Sequence, residues 1–323
     1  MKDATSYILI LFFAVAPMYT RGSAARTFEL TLHPAKSLKP ERKYQLLVKV
    51  EEQSDADAAP LYEKAIQSLP GDLKMDEIEQ WLKTPLNELP LKKVQSTLQQ
   101  FEPALELLEQ AARCKRCEWP YLYDDELTEK LREHRRLLFV LALKVRFQIA
   151  RGCYDEAIGT VQTGFAMARH LGDDATLVRG MVGIGIAAYM CRQIEQFVQG
   201  PDAPNLYRAL QDLPQPLVDL TKQVEWEEQD IKEKVHLLMN RLERHVAALK
   251  CIEAIRLYAG SHDGMFPSKL LDVKAVNIPA DPVTTKPFSY NLSGSTAILE
   301  APDSEDLEDK YAIRYELHLG QQQ

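Results

Sequence analysis

Cys114-Lys-Arg-Cys117 sets two thiols at C-x-x-C spacing, an arrangement that serves zinc, haem c, dithiol redox chemistry or a local disulfide. Zinc needs a second pair or histidines at ligand spacing, and neither stands nearby. Haem c attachment needs histidine at 118, where Glu118 stands. A thioredoxin-type site needs a βαβ setting, and the flanking pattern is helical. A local disulfide between Cys114 and Cys117, or two free thiols, is left. The other cysteines, Cys153, Cys191 and Cys251, fall on apolar helix faces and read as small buried hydrophobes.

Glu233-x-x-His236 has the spacing of a di-iron ligand pair on a helix. Such a site needs a second copy and two more inward carboxylates, and the sequence has no second Glu-x-x-His. His236 and His245 lie nine residues apart on opposite faces of one helical pattern, so both read as solvated or edge histidines. Gly180, Gly183, Ala187 and Cys191 include G-x-x-G-x-G, but no strand precedes it, so the stripe predicts a close helix contact and not a dinucleotide fingerprint. No H-E-x-x-H, G-x-S-x-G or P-loop occurs. We therefore assign no catalytic, cofactor-binding or metal-ligating residue.

These residues need a scaffold, and hydrophobic spacing predicts a mainly helical one. Residues 26–55 contain Pro34, Pro40 and the alternating YQLLVKV, and read as an extended arm or one strand. Helices are expected over 56–69, 74–83, 91–112 (with Pro103 bending it), 126–151 and 175–198. The C-x-x-C is expected in a loop over 114–123. Between the last two helices, Gly152, Tyr154, Ala157, Phe165 and Ala168 resemble one tetratricopeptide unit, with an echo in APLYEKAI but no fixed repeat period. Residues 200–216 carry four prolines and read as a wrapping connection. From about Val224 to Ala259, Ile231, Val235, Leu238, Leu242, Val246, Leu249 and Ile252 step by three and four along one long helix. The basic run Arg132, Arg135, Arg136 reads as a solvated face.

That helix ends abruptly. Gly264 permits a left-handed exit and Pro267 forbids continuation. Strands are expected near 288–292 and 296–299, and Tyr311, Ile313, Tyr315 and Leu317 alternate on a third. One face of a sheet this small needs cover, so we expect Phe288, Tyr290 and Ile313 to be buried on the helix around Leu249, Ile252 and Ile255. The stretches EAIRLYAGSHDGMFP and PADPVTTKPFSY resemble the globular part of type II secretion pseudopilins: a helix ending in tyrosine, an Asp-Gly-x-x-Pro turn, then an Asp-Pro-x-x-x-x-Pro-aromatic loop into a sheet. No prepilin cleavage motif leads into this module. Some pseudopilins bind calcium in a late acidic loop, which the resemblance places at Asp303, Glu305, Asp306, Glu308 and Asp309. Their spacing fits no standard calcium loop. TLHPA, GCYDEAIGTVQTGFAMARHLG and GPDAPNLYRALQDLPQPLVDL resemble a group of exported planctomycete proteins, a resemblance that implies the same architecture and no activity.

The bulk numbers fit this architecture. The chain has 323 residues, 46% hydrophobic and 27% charged, enough for one large or two ordinary domains. A net charge of -8 excludes a broad attraction for nucleic acid or anionic membrane. Lys2, the apolar Tyr7 to Ala16 and Ser23-Ala24-Ala25 form a secretory signal pattern with a core too short to span a bilayer comfortably. An uncleaved anchor is the alternative. The expected organisation is a signal peptide over 1–25, an arm over 26–55, a helical domain over 56–225, and a long helix with a pseudopilin-like β-rich tail over 226–323. The fold class is mainly α: a helical-hairpin bundle or short α-superhelix, then a long helix packed by a small antiparallel β-sheet. The expected function is a non-enzymatic, exported, periplasmic or extracellular module that holds a protein partner in the cell envelope, without cofactor, nucleic acid or membrane span. An envelope enzyme with a site assembled from distant residues is the alternative.

Overall fold

The computed structural model describes residues 27–35, 44–71, 75–120, 124–174, 176–303 and 312–320. The signal segment, its cleavage point near Ala25 and the acidic stretch beyond Asp303 lie outside the described residues.

The fold is mainly α. Helices α1 (Ala59–Gln67), α2 (Met75–Lys83), α3 (Leu91–Gln100) and α4 (Glu102–Ala111) precede the long α5 (Asp124–Ala150), α6 (Tyr154–Gly172) and α7 (Leu177–Phe197). A short α8 (Tyr207–Gln211) follows, then the 33-residue α9 (Gln229–Ser261). The expected bend at Pro103 is a full break. Proline has no N–H to give to the preceding turn, and buried Phe101 closes one helix and opens the next. Gly152, at φ 71, makes the tight turn between α5 and α6. Tyr154 then packs edge-on against Phe197 of α7, ring centroids 5.3 Å apart, and its hydroxyl donates to the carbonyl of Pro201.

Helix α9 is terminated as the sequence requires. Asp263 and Gly264 take positive φ, and the Gly264 N–H caps the carbonyl of Ala259 at 2.9 Å. The tail that follows contributes β4 (Ser289–Ser293), β5 (Thr296–Glu300) and β6 (Arg314–Leu319). The sheet is mixed and not purely antiparallel, because its fourth strand, β1 (Thr27–Leu32), comes from the N-terminal arm and runs parallel to β6. The order is β1-β6-β5-β4. The arm's strand is TFELTL and not YQLLVKV, which buries Leu46 and Val48 without pairing. The C-x-x-C lies partly on a strand: β2 (Ser54–Asp57) pairs in parallel with β3 (Cys114–Arg116).

Pairing registers carry two rows of side chains across the larger sheet: Phe28, Tyr315, Leu299 and Tyr290, and Leu30, Leu317, Ala297 and Leu292. Their central members are buried, and Tyr290 and Leu292 at the rim are half-buried. Phe288 and Ile313 are buried as expected. These residues join Leu249, Ile252 and Ile255 in one continuous core with the helices, so the tail is docked on the body.

Candidate functional site at the junction of body and tail

Helix α9 is buried nearly all round from Leu242 to Leu257, including Arg244, His245, Lys250, Glu253 and Arg256. A buried charge is costly unless paired, and the pairings of these residues define the junction.

Arg244 makes two bonds of 2.8 Å to the carboxylate of Asp281, in the Asp-Pro loop before β4, and donates to the carbonyl of Pro302 at 3.2 Å. Asp281 also accepts from the Thr284 N–H and hydroxyl, turning the loop back on itself. Burial would raise the Asp281 carboxyl, but Arg244 and Thr284 outweigh it and hold it below its ordinary value. About three turns further along α9, Arg256 binds Glu253 at 2.8 Å and donates to the carbonyls of His33 (2.9 Å) and Ala203 (2.7 Å). Glu253 accepts from the Leu206 N–H and the Asn205 amide. Burial pushes its carboxyl up against the pull of Arg256. This pair therefore ties the N-terminal arm and the proline-rich connection to α9. Gly260 completes the tie: a Cβ there would stand 1.9 Å from the carbonyl oxygen of Ala35, whose N–H donates to Arg256 O.

The third cluster joins three elements. Glu195 of α7 accepts from His245 Nε2 of α9 (2.7 Å), from the Tyr315 hydroxyl of β6 (2.5 Å) and from Arg192 with both oxygens (2.7 and 2.8 Å). The Arg192 guanidinium lies 3.9 Å from the centre of the Phe28 ring on β1. Burial would raise the Glu195 carboxyl, but Arg192 and His245 bring it down to about 2. Burial lowers His245, opposed by Glu195. A tyrosine, a carboxylate and a histidine in contact are the parts of a proton relay. Here all three are under 8% exposed and Glu195 is saturated by internal donors, so the arrangement fixes the sheet's orientation.

A second polar cluster lies in the helical body. Trp119 stacks on Tyr62 (5.4 Å) and donates its N–H to the carbonyl of His170 at 2.7 Å. His170 Nε2 lies 3.1 Å from Cys114 O, so that nitrogen carries the proton and Nδ1 accepts from the Tyr62 hydroxyl at 2.8 Å. His134 packs edge-on against Trp119, and its Nδ1 bonds the Lys130 carbonyl at 2.6 Å. Its Nε2 is buried without a partner. Burial brings the His134 imidazole down to about 4. Arg179, over the Trp119 ring, reaches Asp174 and the Pro120 carbonyl.

The sequence-nominated residues fall as follows. Cys114 and Cys117 are free thiols. Extended chain puts Cα atoms three residues apart at about 10 Å, beyond the reach of a disulfide, and β3 is held by β2. A Cys114–Cys117 bridge is therefore not what this structure holds. Burial pushes both thiols up, away from thiolate chemistry. Glu233 and His236 are exposed, Glu233 bonding Gln229. His245 departs from the expectation of a solvated or edge histidine, because the arrival of Glu195 and β6 seals it. Gly183 sits in a close contact: its Cβ would be 2.5 Å from Ala168 O. In the basic run, Arg132 is solvated and pairs with Glu129, while Arg135 lies over Phe139. Among the described residues no group of three His, Cys, Asp or Glu could hold a metal ion, and no helix is long and apolar enough to cross a membrane. Glu195, Arg244, Glu253, Arg256 and Asp281 were missed by motif reasoning. The one available signal was that charged residues interrupt the apolar stripe at 244–256. Searches for similar proteins found no matching family model, curated protein or solved structure.

Proposed function

We propose that this chain is a non-enzymatic exported protein of the cell envelope that serves as a structural and protein-interaction module. The observation that carries the reading is Trp226. Its side chain is 89% exposed just before α9, among Glu225, Glu227 and Glu228. A tryptophan left in water is the anchor residue most enriched at protein interfaces, and the acidic neighbours suit a partner surface bearing lysine or arginine. The buried ionic clusters support the same reading, since each holds a segment of this chain in place. The short apolar core before Ala25 and the pseudopilin-like tail support export.

The test is affinity capture of the tagged protein from its native envelope, alongside Trp226→Ala. A protein retained by the native chain and lost with the variant, at equal folded content, supports the reading. Equal capture by both chains removes Trp226 as the anchor. An intact segment before Ala25 on the native protein, seen by mass spectrometry, counts against export with cleavage.

A further inference from the structure

From the outer edge of the tail sheet we propose that β4 pairs with β4 of a second copy of this chain, joining two sheets across a twofold axis. This does not rest on the function proposed above and stands or falls whether or not a different partner is found.

Three observations meet at this edge. First, among the described residues β4 pairs only with β5, which leaves its other side an open row of backbone groups there. The two-residue turn at Gly294 and Ser295 makes Ser293 and Thr296 the closely hydrogen-bonded pair of the hairpin. By alternation Asn291 and Ser289 also bond inward to β5, and Leu292 and Tyr290 direct N–H and C=O outward. Among the described residues, no other element takes those groups.

Second, the strand is self-complementary. It reads Ser-Tyr-Asn-Leu-Ser, without charge or proline, and so lacks the devices that blunt an edge. Antiparallel pairing about Asn291 sets Tyr290 opposite Leu292 of the partner copy, which are the two residues with outward backbone groups. Asn291 then faces Asn291 at a non-hydrogen-bonded position, and Ser289 faces Ser293. Apolar side chains meet apolar and polar meet polar. No like charges face one another, although the chain as a whole carries -8.

Third, a loop that bears exposed apolar side chains is tied to this strand. The Tyr290 hydroxyl donates to the carbonyl of Pro267 at 2.9 Å, which holds the loop after α9 against β4. That loop carries Met265 and Leu271, 59% and 74% exposed, two of the four exposed large hydrophobics among the described residues. A second copy on β4 would cover the half-buried Tyr290 and Leu292 and approach this loop.

A strand pair with two such flanks is a contact at the small end of stable interfaces, so dimerisation is expected at about 100 μM and not at trace concentration. Sedimentation of the full chain over that range, with Asn291→Lys, Asn291→Glu and their mixture, tests it. The native chain dimerises, each variant alone is monomeric because like charges face across the axis, and the mixture restores a heterodimer. Asn291 is exposed, so these variants keep the fold, which the melting temperature checks. Asn291→Cys should also form an intermolecular disulfide faster than Ser289→Cys, because only position 291 meets itself. A native chain that stays monomeric, an Asn291→Lys chain that dimerises equally well, or equal cross-linking at 289 and 291 overturns the proposal.

Discussion

Between α6 and α7 the backbones nearly touch, at contacts made by glycine. Gly183 admits Ala168 O and the Gly172 amide, and Gly164 admits the Met190 thioether. At the junction, buried side chains tie α9 to the Asp-Pro loop through Arg244, to the N-terminal arm and the proline-rich connection through Glu253 and Arg256, and to α7 and β6 through Glu195 and Tyr315. Both regions belong to one core. The seam is stabilised by dispersion at short range, which depends on volume and is indifferent to pH. The junction is held by directed bonds to loops and to the N-terminal arm. A seam tolerates no added atom, and a junction tolerates no lost partner.

The largest effect is expected from removing one partner at the junction. Arg244→Ala leaves the Asp281 carboxylate buried and releases the Asp-Pro loop and Pro302, costing roughly 3–5 kcal/mol. Replacing both partners, as Arg244→Met with Asp281→Leu, should recover part of that loss, since a well-packed apolar pair avoids the desolvation penalty. Chemical denaturation of the three chains measures it. If Arg244→Ala unfolds within about 1 kcal/mol of the native chain, less than the loss of one hydrogen bond to a charged group, the junction is not held as described.

The same contrast governs what was legible in the sequence. The seam could be read because its signal is local: Gly183 belongs to a stripe of small residues that recur at three- and four-residue steps on one helix, although Gly180 of that stripe meets Leu220 of the later connection and not α6. The junction could not, because its partners are separated by 37 residues for Arg244 and Asp281, 50 for His245 and Glu195, 120 for Tyr315 and Glu195, and 223 for Arg256 and His33. No local pattern encodes such a pairing. The long helix, its glycine exit and the hairpin were visible through periodicity and turn chemistry. The strand β1 was hidden because TFELTL competes with the equally alternating YQLLVKV, and only the pairing with β6 decides between them. The three-residue β3 is too short to carry a period.

Acid provides the next largest effect. His134 is buried with its imidazole brought down to about 4, and His245 is also lowered. A histidine depressed in the folded state binds fewer protons than in the unfolded chain. Its contribution is complete above about pH 6.5 and is lost as pH falls to the folded value. For His134 that amounts to at most about 3 kcal/mol between pH 6.5 and pH 4. His134→Phe should flatten this limb of the stability profile. A limb that survives in His134→Phe and vanishes in His245→Gln would assign the acid sensitivity to the junction. Glu195, held at about 2, adds its own loss only in stronger acid, below its ordinary carboxylate range.

The seam answers to volume alone. Gly183→Leu should cost roughly 1–3 kcal/mol, because the first added carbon meets backbone that cannot turn aside. Gly164→Ala should cost less, since its obstacle is the flexible Met190 side chain. Neither loss should vary between pH 7 and pH 5 beyond the native chain's own profile. Equal melting temperatures for Gly183→Leu and the native chain would place the stripe in a loose cavity.

The smallest effect comes from a single hydroxyl at the junction. Tyr315→Phe keeps the ring on β6, its contact with Phe28 and its place in the row that runs to Leu299. It removes one of the donors on Glu195 Oε1 and leaves no orphan acceptor, because His245 and Arg192 still bond that oxygen. The expected loss is therefore that of one hydrogen bond to a charged group that retains others, about 0.5–1.5 kcal/mol. Phenylalanine also has no hydroxyl to desolvate, which pushes the result toward the lower figure. Tyr315→Leu separates the two roles, since it loses ring packing as well and should fall further. If Tyr315→Phe destabilised as strongly as Arg244→Ala, Glu195 would depend on the tyrosine and not on Arg192 for its charge, and the junction would be a coupled network whose members fail together.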